Sequence, residues 1–404
     1  MRLALIRCTS LAASVAALVP LAAGTVAAPA SAWRTVVVTA ARGRFDAVAA
    51  ADPRHAWAVG GSPDRSGDFA PLIARWNGVS WAPARVPAKV RSRLGPLAIL
   101  DSAVAAGPSN LWAFSITIGG WLHYDGSSWT AGQIPEVLTT TASTVAARKF
   151  IWAFGLRDTF HNPVPFSAYA SDINGTVRWT SKAVPGDAVI YSASAVSGSD
   201  LWAAATRGMF ASPAGSPSGT ASSATPKKAA LTSSLLHYHA GRWHKAMPLP
   251  AAMRTNPATA ILARSDTDIW VGGAVKNASA GTTAAIAHWN GRNWTLIKLR
   301  VTASKADYRT GAITADGTGS LWVLADCAGT RCPHRGLTSR LWNEHAGHWT
   351  GPIQPALTRH PAVLLSIAAA GRCVWAAGTI TLGPDNFRGL VAARTAATAR
   401  YRCR

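Results

Sequence analysis

Histidines, cysteines and acids are the side chains in this sequence whose spacing could support chemistry. His237 and His239 alternate in a β-prone run and so share one face, and His244 follows across a turn. Such a trio could ligate a transition metal. No carboxylate or cysteine adjoins it, so the expectation is a surface histidine cluster, with no metal site and no cofactor. The acids number 18, and Glu136 and Glu344 are the only glutamates. Asp52, Asp200 and Asp268 each fall in a turn before a tryptophan, where an aspartate caps a turn through its own side chain. Nothing marks a carboxylate pair of the kind glycoside hydrolysis needs. A Gly-x-Ser-x-Gly elbow and a phosphate-binding glycine loop are both absent. No catalytic residue is therefore assigned, and the chain is expected not to be an enzyme.

The elements that position these residues begin with a leader. Met1, Arg2 and Arg7 precede an apolar stretch from Leu11 to about Val26, which ends in Ala30-Ser31-Ala32. This three-part layout predicts a signal peptide over residues 1–32, cleaved after Ala32, and hence a secreted chain. No other run is apolar and long enough to span a bilayer. Cys8 leaves with the leader, and Cys327, Cys332, Cys373 and Cys403 remain. An even count in an exported chain points to disulfides. The short spacing of Cys327 and Cys332 suggests one loop staple, which leaves Cys373 with Cys403. A four-cysteine zinc site would need two close pairs, and only one pair is close.

Residues 33–404 read as seven tandem repeats. The first half of each is a strand, a turn and a second strand carrying Trp57, Trp112, Trp152, Trp202, Trp270, Trp322 or Trp375. The second half is a hairpin whose last strand opens with Trp81, Trp129, Trp179, Trp243, Trp294 or Trp349. The seventh copy, Leu390 to Tyr401, has lost that residue. Asn77-Gly78, Asp125-Gly126, Asn174-Gly175 and Asn290-Gly291 are hairpin signals, because such turns need residues tolerant of positive φ, and Ala240-Gly241 and Ala346-Gly347 fill the same place. Each unit fits four strands, here called A to D. The prediction is an all-β, seven-bladed β-propeller of four-stranded antiparallel blades, forming a single domain. The chain has 18 tryptophans, and the repeat uses 13, which favours packing between blades over sugar stacking. Residues 211–234, rich in Ser, Ala, Thr, Pro and Gly, read as a flexible insertion in blade four.

The small-residue strand end Val59-Gly60-Gly61, followed by an aromatic-turn-Trp segment, resembles the kelch-type propeller. Asp125-Gly126-Ser127-Ser128-Trp129 resembles an Asp-box hairpin of sialidase-like propellers. The whole pattern resembles secreted repeat proteins of actinobacteria. These resemblances imply a propeller fold. A sialidase would also need a catalytic acid, a nucleophilic Tyr with a Glu, and an Arg cluster, and no such set stands out.

Closed propellers combine terminal strands in one blade, which removes open edges. Trp33 to Thr39 is β-branched and precedes strand A of blade one. It should close the ring by pairing with Phe387 to Ala393 as strand D of the last blade. The tail from Thr395 would then bring Cys403 to Cys373.

The net charge is +22, or +20 without Arg2 and Arg7. The cations are dispersed, as in Arg85, Arg91, Arg93, Arg264, Arg292, Arg300, Arg335 and Arg340. Such a charge attracts anionic polymers without defining a site, and specific nucleic-acid binding is not expected. The functional expectation is an extracellular, monomeric, non-enzymatic binding or scaffold propeller. Its ligand would be an anionic polymer, such as one of the cell wall, or a polysaccharide, held on the loop-bearing face or at the channel mouth, with a protein partner as a further possibility. The alternative is a glycan hydrolase or lyase with acids converging in the central channel.

Overall fold

The computed structural model describes residues 32–395 apart from 65–66, 96–97, 116–118, 136–140, 148–149, 160–161, 174–175, 209–229, 278–280, 302–305, 329–331, 333–336, 356 and 384. The first strand is β1 (Ala32–Val38). Blade one holds β2 (Arg44–Asp52), β3 (His55–Pro63), β4 (Phe69–Trp76) and β5 (Trp81–Pro83). Blade two holds β6 (Leu100–Gly107), β7 (Asn110–Ser115), β8 (Gly120–Tyr124) and β9 (Trp129–Gln133). Blade three holds β10 (Thr141–Ala147), β11 (Phe150–Thr159), β12 (Asn162–Ile173) and β13 (Thr176–Lys182). Blade four holds β14 (Val189–Ser197), β15 (Asp200–Arg207), β16 (Thr232–His239) and β17 (Arg242–Pro248). Blade five holds β18 (Ala260–Ser265), β19 (Asp268–Lys276), β20 (Thr282–Trp289) and β21 (Trp294–Lys298). Blade six holds β22 (Asp307–Ala315), β23 (Leu321–Ala328), β24 (Arg340–His345) and β25 (His348–Ile353). Blade seven holds β26 (Ala362–Ala370), β27 (Cys373–Gly383) and β28 (Asn386–Thr395).

Each blade is a four-stranded antiparallel sheet, and β1 completes the seventh beside β28. Trp33 lies opposite Arg394, and Val38 lies opposite Leu390. The ring thus closes by the N-terminal strand, as expected. The A strands neighbour one another from β2 through β26 and back to β2. They crowd the axis, and small hydroxyl residues knit them. Ser366 Oγ accepts from the Val48 amide at 3.1 Å, and Ser194 Oγ accepts from the Ala263 amide at 3.0 Å. Ser102 and Thr144 hydroxyls meet at 2.7 Å.

The tryptophans fill the wedges between blades. The strand-B ring of one blade packs against the strand-D ring of the next: Trp57 lies 6.3 Å from Trp129, and Trp152 lies 6.0 Å from Trp243. Trp270 and Trp349 follow the same rule at 6.3 Å. The sixth wedge joins Trp322 to Trp33 at 5.7 Å, edge to face. Trp33 therefore stands where the seventh copy lacks its second tryptophan. It belongs to the repeat, which uses one more tryptophan than the sequence reading counted. The reason is topological: strand D of blade seven comes from the other end of the chain.

Turn chemistry splits into two kinds. In β16–β17 and β24–β25 the loops have two residues, with Ala240 at φ 49°, Gly241 at 80°, Ala346 at 51° and Gly347 at 84°. The Asn77-Gly78, Asp125-Gly126 and Asn290-Gly291 turns are longer, whereas β12–β13 pairs Ile173 with Thr176 and Asn174-Gly175 itself lies outside the described residues. In the 77–80 loop only Gly78 has positive φ, at 91°, while Asn77 Oδ1 accepts from the Val79 and Ser80 amides, both at 2.9 Å. Asp125 and Asn290 act likewise. The side chain therefore replaces the positive φ that the sequence reading assigned to the first turn residue.

Cys327 and Cys332 form a disulfide with Cα atoms 5.7 Å apart. Cys373 is also disulfide-bonded, while Cys403 and the 373–403 pairing lie outside the described residues. So do the leader, Glu136, Arg335 and most of the 211–234 insertion, whose last residues, Thr232–Ser234, already belong to β16. No described helix is long and apolar enough to cross a membrane.

Candidate functional site

The antiparallel order puts the A–B and C–D turns on one face of the ring and the longer B–C and D–A connections on the other. On the turn face, the strand-C residue opposite the strand-B tryptophan takes the same role in three blades. In blades two, four and five it is a histidine stacked on the indole: His123 on Trp112 at 4.0 Å, His237 on Trp202 at 4.1 Å and His288 on Trp270 at 3.7 Å. The residue two before the tryptophan meets the imidazole. Nε2 of His123 lies 3.1 Å from Asn110 Oδ1, that of His237 lies 2.6 Å from Asp200 Oδ1, and that of His288 lies 3.0 Å from Asp268 Oδ1. These are packing clamps that tie strand C to strand B. Asp200 and Asp268 therefore hold histidines instead of capping their own turns, whereas Asp52 caps as expected by accepting from the Arg54 amide at 2.7 Å.

Of the histidine trio, His237 and His239 share a face with rings 4.7 Å apart, and His244 stacks on His239 at 4.2 Å. The expected surface cluster is present, but the premise that no carboxylate is near does not hold. Asp200 Oδ1 is in direct contact, and Asp266 Oδ1, from the turn of blade five, lies 3.9 Å from His237 Nε2. Sequence distance hides Asp266 because it arrives from the neighbouring blade.

Blade one departs from the clamp. Its strand-C residue is Arg75, opposite Trp57. The residue two before Trp57 is His55, which is occupied with Asp52 at 2.9 Å. Arg75 thus has no carboxylate at the clamp position. Its guanidinium carbon sits 4.8 Å from the Trp57 ring and 5.6 Å from Tyr124, and its Nε is buried without a hydrogen bond. Around it lies a groove of about 500 Å³ between blades one and two, lined by Arg75, Asn77, Arg85, Tyr124 and Trp129 with Trp57 at its floor. An apolar aromatic wall with convergent cations and an amide suits a sugar carrying a carboxylate or sulfate.

At the axis, β-bulges recur near the start of the A strands and re-aim one residue each. Asp46 and Asp101 occupy two of these positions. Arg44 bridges them, with Nε 2.9 Å from Asp46 and Nη2 3.5 Å from Asp101. Burial pushes Asp46 up to about 7, with Arg44 opposing the shift and Asp101 adding to it. In blade six, Asp326 pairs in register with Arg309, and burial likewise pushes it up to about 7 against the pull of Arg309 and Ser339. Each of these carboxylates thus lies beside a guanidinium. Glu344 is engaged in a turn, accepting from the Gly347 amide at 2.6 Å. Among the named cations, Arg340 is buried, its Nη1 bound to the Leu337 carbonyl at 2.8 Å, and Arg264 donates to Gly319 O at 2.7 Å.

Sequence reasoning singles out neither Arg75, Asp46 nor Asp266. The available signal was the alignment of the seven C strands on their tryptophan partners, where Arg75 stands in a column that holds histidine in blades two, four and five.

No family model and no curated relative matches the sequence. Among solved structures, the hydrazine synthase of Kuenenia stuttgartiensis is similar over 90% of this chain and 99% of its own, at 10% identity and a TM-score of 0.53. A PL25 polysaccharide lyase, an ulvan lyase, covers 86% and 94% at 12% identity and a TM-score of 0.48. The Trypanosoma rangeli sialidase covers 87% and 53% at 9% identity and 0.40. At such identities the likeness is one of fold, and the fold is the seven-bladed β-propeller.

Proposed function

We propose that the chain is an exported, non-enzymatic binding propeller whose ligand is an acidic polysaccharide or related anionic polymer. The carrying observation is Arg75, a cation held between Trp57 and Tyr124 in an open groove, where the equivalent histidine of blades two, four and five has a carboxylate or amide partner. The net charge of +22 would draw an anionic chain toward it. The leader layout of residues 1–32 and the Cys327–Cys332 disulfide fit an oxidising compartment. The kelch-like and Asp-box-like character of the repeat belongs to this reading too, supported by the Asp125 turn, where Ser128 and Ser127 amides and hydroxyls hold the carboxyl well below the usual range.

The test is retention of residues 33–404 on acidic polysaccharide, neutral polysaccharide, cell-wall preparations and DNA across a salt titration. One acidic polysaccharide should be retained at salt that releases DNA, since counterion release dominates non-specific binding. Arg75→Gln should weaken that retention about tenfold, equivalent to about 1.4 kcal/mol, with the melting transition unchanged. Loss of all binding at moderate salt, equally in both proteins, would remove the reading. One observation favours the alternative of a hydrolase or lyase at the channel mouth: Asp46 keeps a proton near neutrality beside Asp101. Shortened polymer chains after the same incubations would support it.

A further inference from the structure

Blade four carries a clamp that has come open toward its neighbour. In blade five, Asp268 Oδ1 accepts both the Trp270 indole, at 2.7 Å, and His288 Nε2, at 3.0 Å. Arg264 Nη1 lies 3.8 Å from the same carboxylate, which disfavours a cation there. In blade two the acceptor is the neutral Asn110. In blade four the Trp202 indole turns instead to Asp266 of blade five, at 2.8 Å, and orients that carboxylate toward His237. Nε2 of His237 lies 2.6 Å from Asp200 Oδ1 and 3.9 Å from Asp266 Oδ1, and one ligand atom from each of the three residues lies within 4.8 Å of the others.

We propose that Asp200, His237 and Asp266 form a divalent transition-metal site on the turn face between blades four and five. Ligands about 2.0–2.2 Å from a metal sit roughly 3–3.5 Å from one another, so a small opening of the Asp200–His237 contact admits the ion. The Asp266 side chain is 58% exposed, which leaves the outer coordination positions to water or to a ligand. The imidazole selects zinc-class cations over calcium and magnesium, which prefer oxygen alone. The ion takes the place of the proton on His237 Nε2, and the neutral imidazole carries that proton on Nδ1 instead. The third ligand is what separates this clamp from the other two.

The experiment is calorimetric titration of chelator-treated residues 33–404 with zinc chloride, and separately with calcium chloride, near neutral pH. One zinc per chain is expected, with no comparable calcium binding. Asp266→Asn keeps an acceptor for the Trp202 indole, and should weaken zinc binding at least about tenfold while the melting transition without metal stays unchanged. Asp268→Asn, in the blade-five clamp, should leave zinc binding intact. Absence of stoichiometric zinc, unaltered binding in Asp266→Asn, or loss of binding in a His239→Gln/His244→Gln double variant with Asp266→Asn unaffected would each overturn the site.

Discussion

Asp326 and Asp46 are the side chains whose protonation the fold changes most toward the neutral form. Burial holds both at about 7, well above the usual carboxylate range. A folded-state pKa above the unfolded one means that the native chain binds more protons between the two values. The stability contributed is complete below about pH 4 and is lost as pH rises through about 7. Asp326 is the cleaner probe, since its Oδ1 is buried and has no hydrogen bond. Asp326→Asn should therefore flatten the fall in melting temperature between about pH 4 and pH 7, as measured by thermal denaturation across that range. An unchanged slope would mean that the carboxyl is solvated. None of this was visible in the sequence, because desolvation of these carboxyls exists only once the strands pack.

Among the elements, the C–D hairpins show how one repeat position accepts two solutions. Asn77 and Asp125 cap longer loops with their own oxygens, while Ala240 and Ala346 accept positive φ without a side chain suited to it. An L-residue with a Cβ pays about 1 kcal/mol or more in the left-handed region, and asparagine and glycine pay less. Ala240→Asn should accordingly raise stability by about 0.5–1 kcal/mol, read as a shift in the denaturant midpoint without a change in slope. The strands themselves were legible, because period-2 runs and turn residues are local signals. The turn types were less so. Asn-Gly suits both a two-residue turn and a side-chain-capped loop, and the register decides between them.

For the whole molecule, closure rests on a strand borrowed from the far end of the chain. Trp33 is 8% exposed and packs on Trp322, while Arg394 lies 4.7 Å from the same ring and 3.8 Å from Asp316. Removing a buried tryptophan side chain costs about 3–5 kcal/mol. Trp33→Ala should cost about that much in chemical denaturation. It should also expose the β1 segment to proteolysis before the other blades, since the blade-seven edge would be the first to open. Uniform loss of all blades together would show instead that closure and ring stability are one cooperative unit.

The repeat number, the strand order within a blade, the tryptophan positions and the closure by residues 33–39 were all legible in the order of residues. Each of these depends on short-range periodicity or on the need to leave no open edge. The net charge and the Cys327–Cys332 pairing were legible on the same local grounds. Packing around the ring was needed to show that Trp33 replaces a missing repeat residue, that Arg75 reaches Tyr124, and that Asp266 joins His237. These three are contacts between blades. Such contacts join residues whose sequence separation carries no periodic signal, and curvature around the ring, rather than any local preference, brings them together.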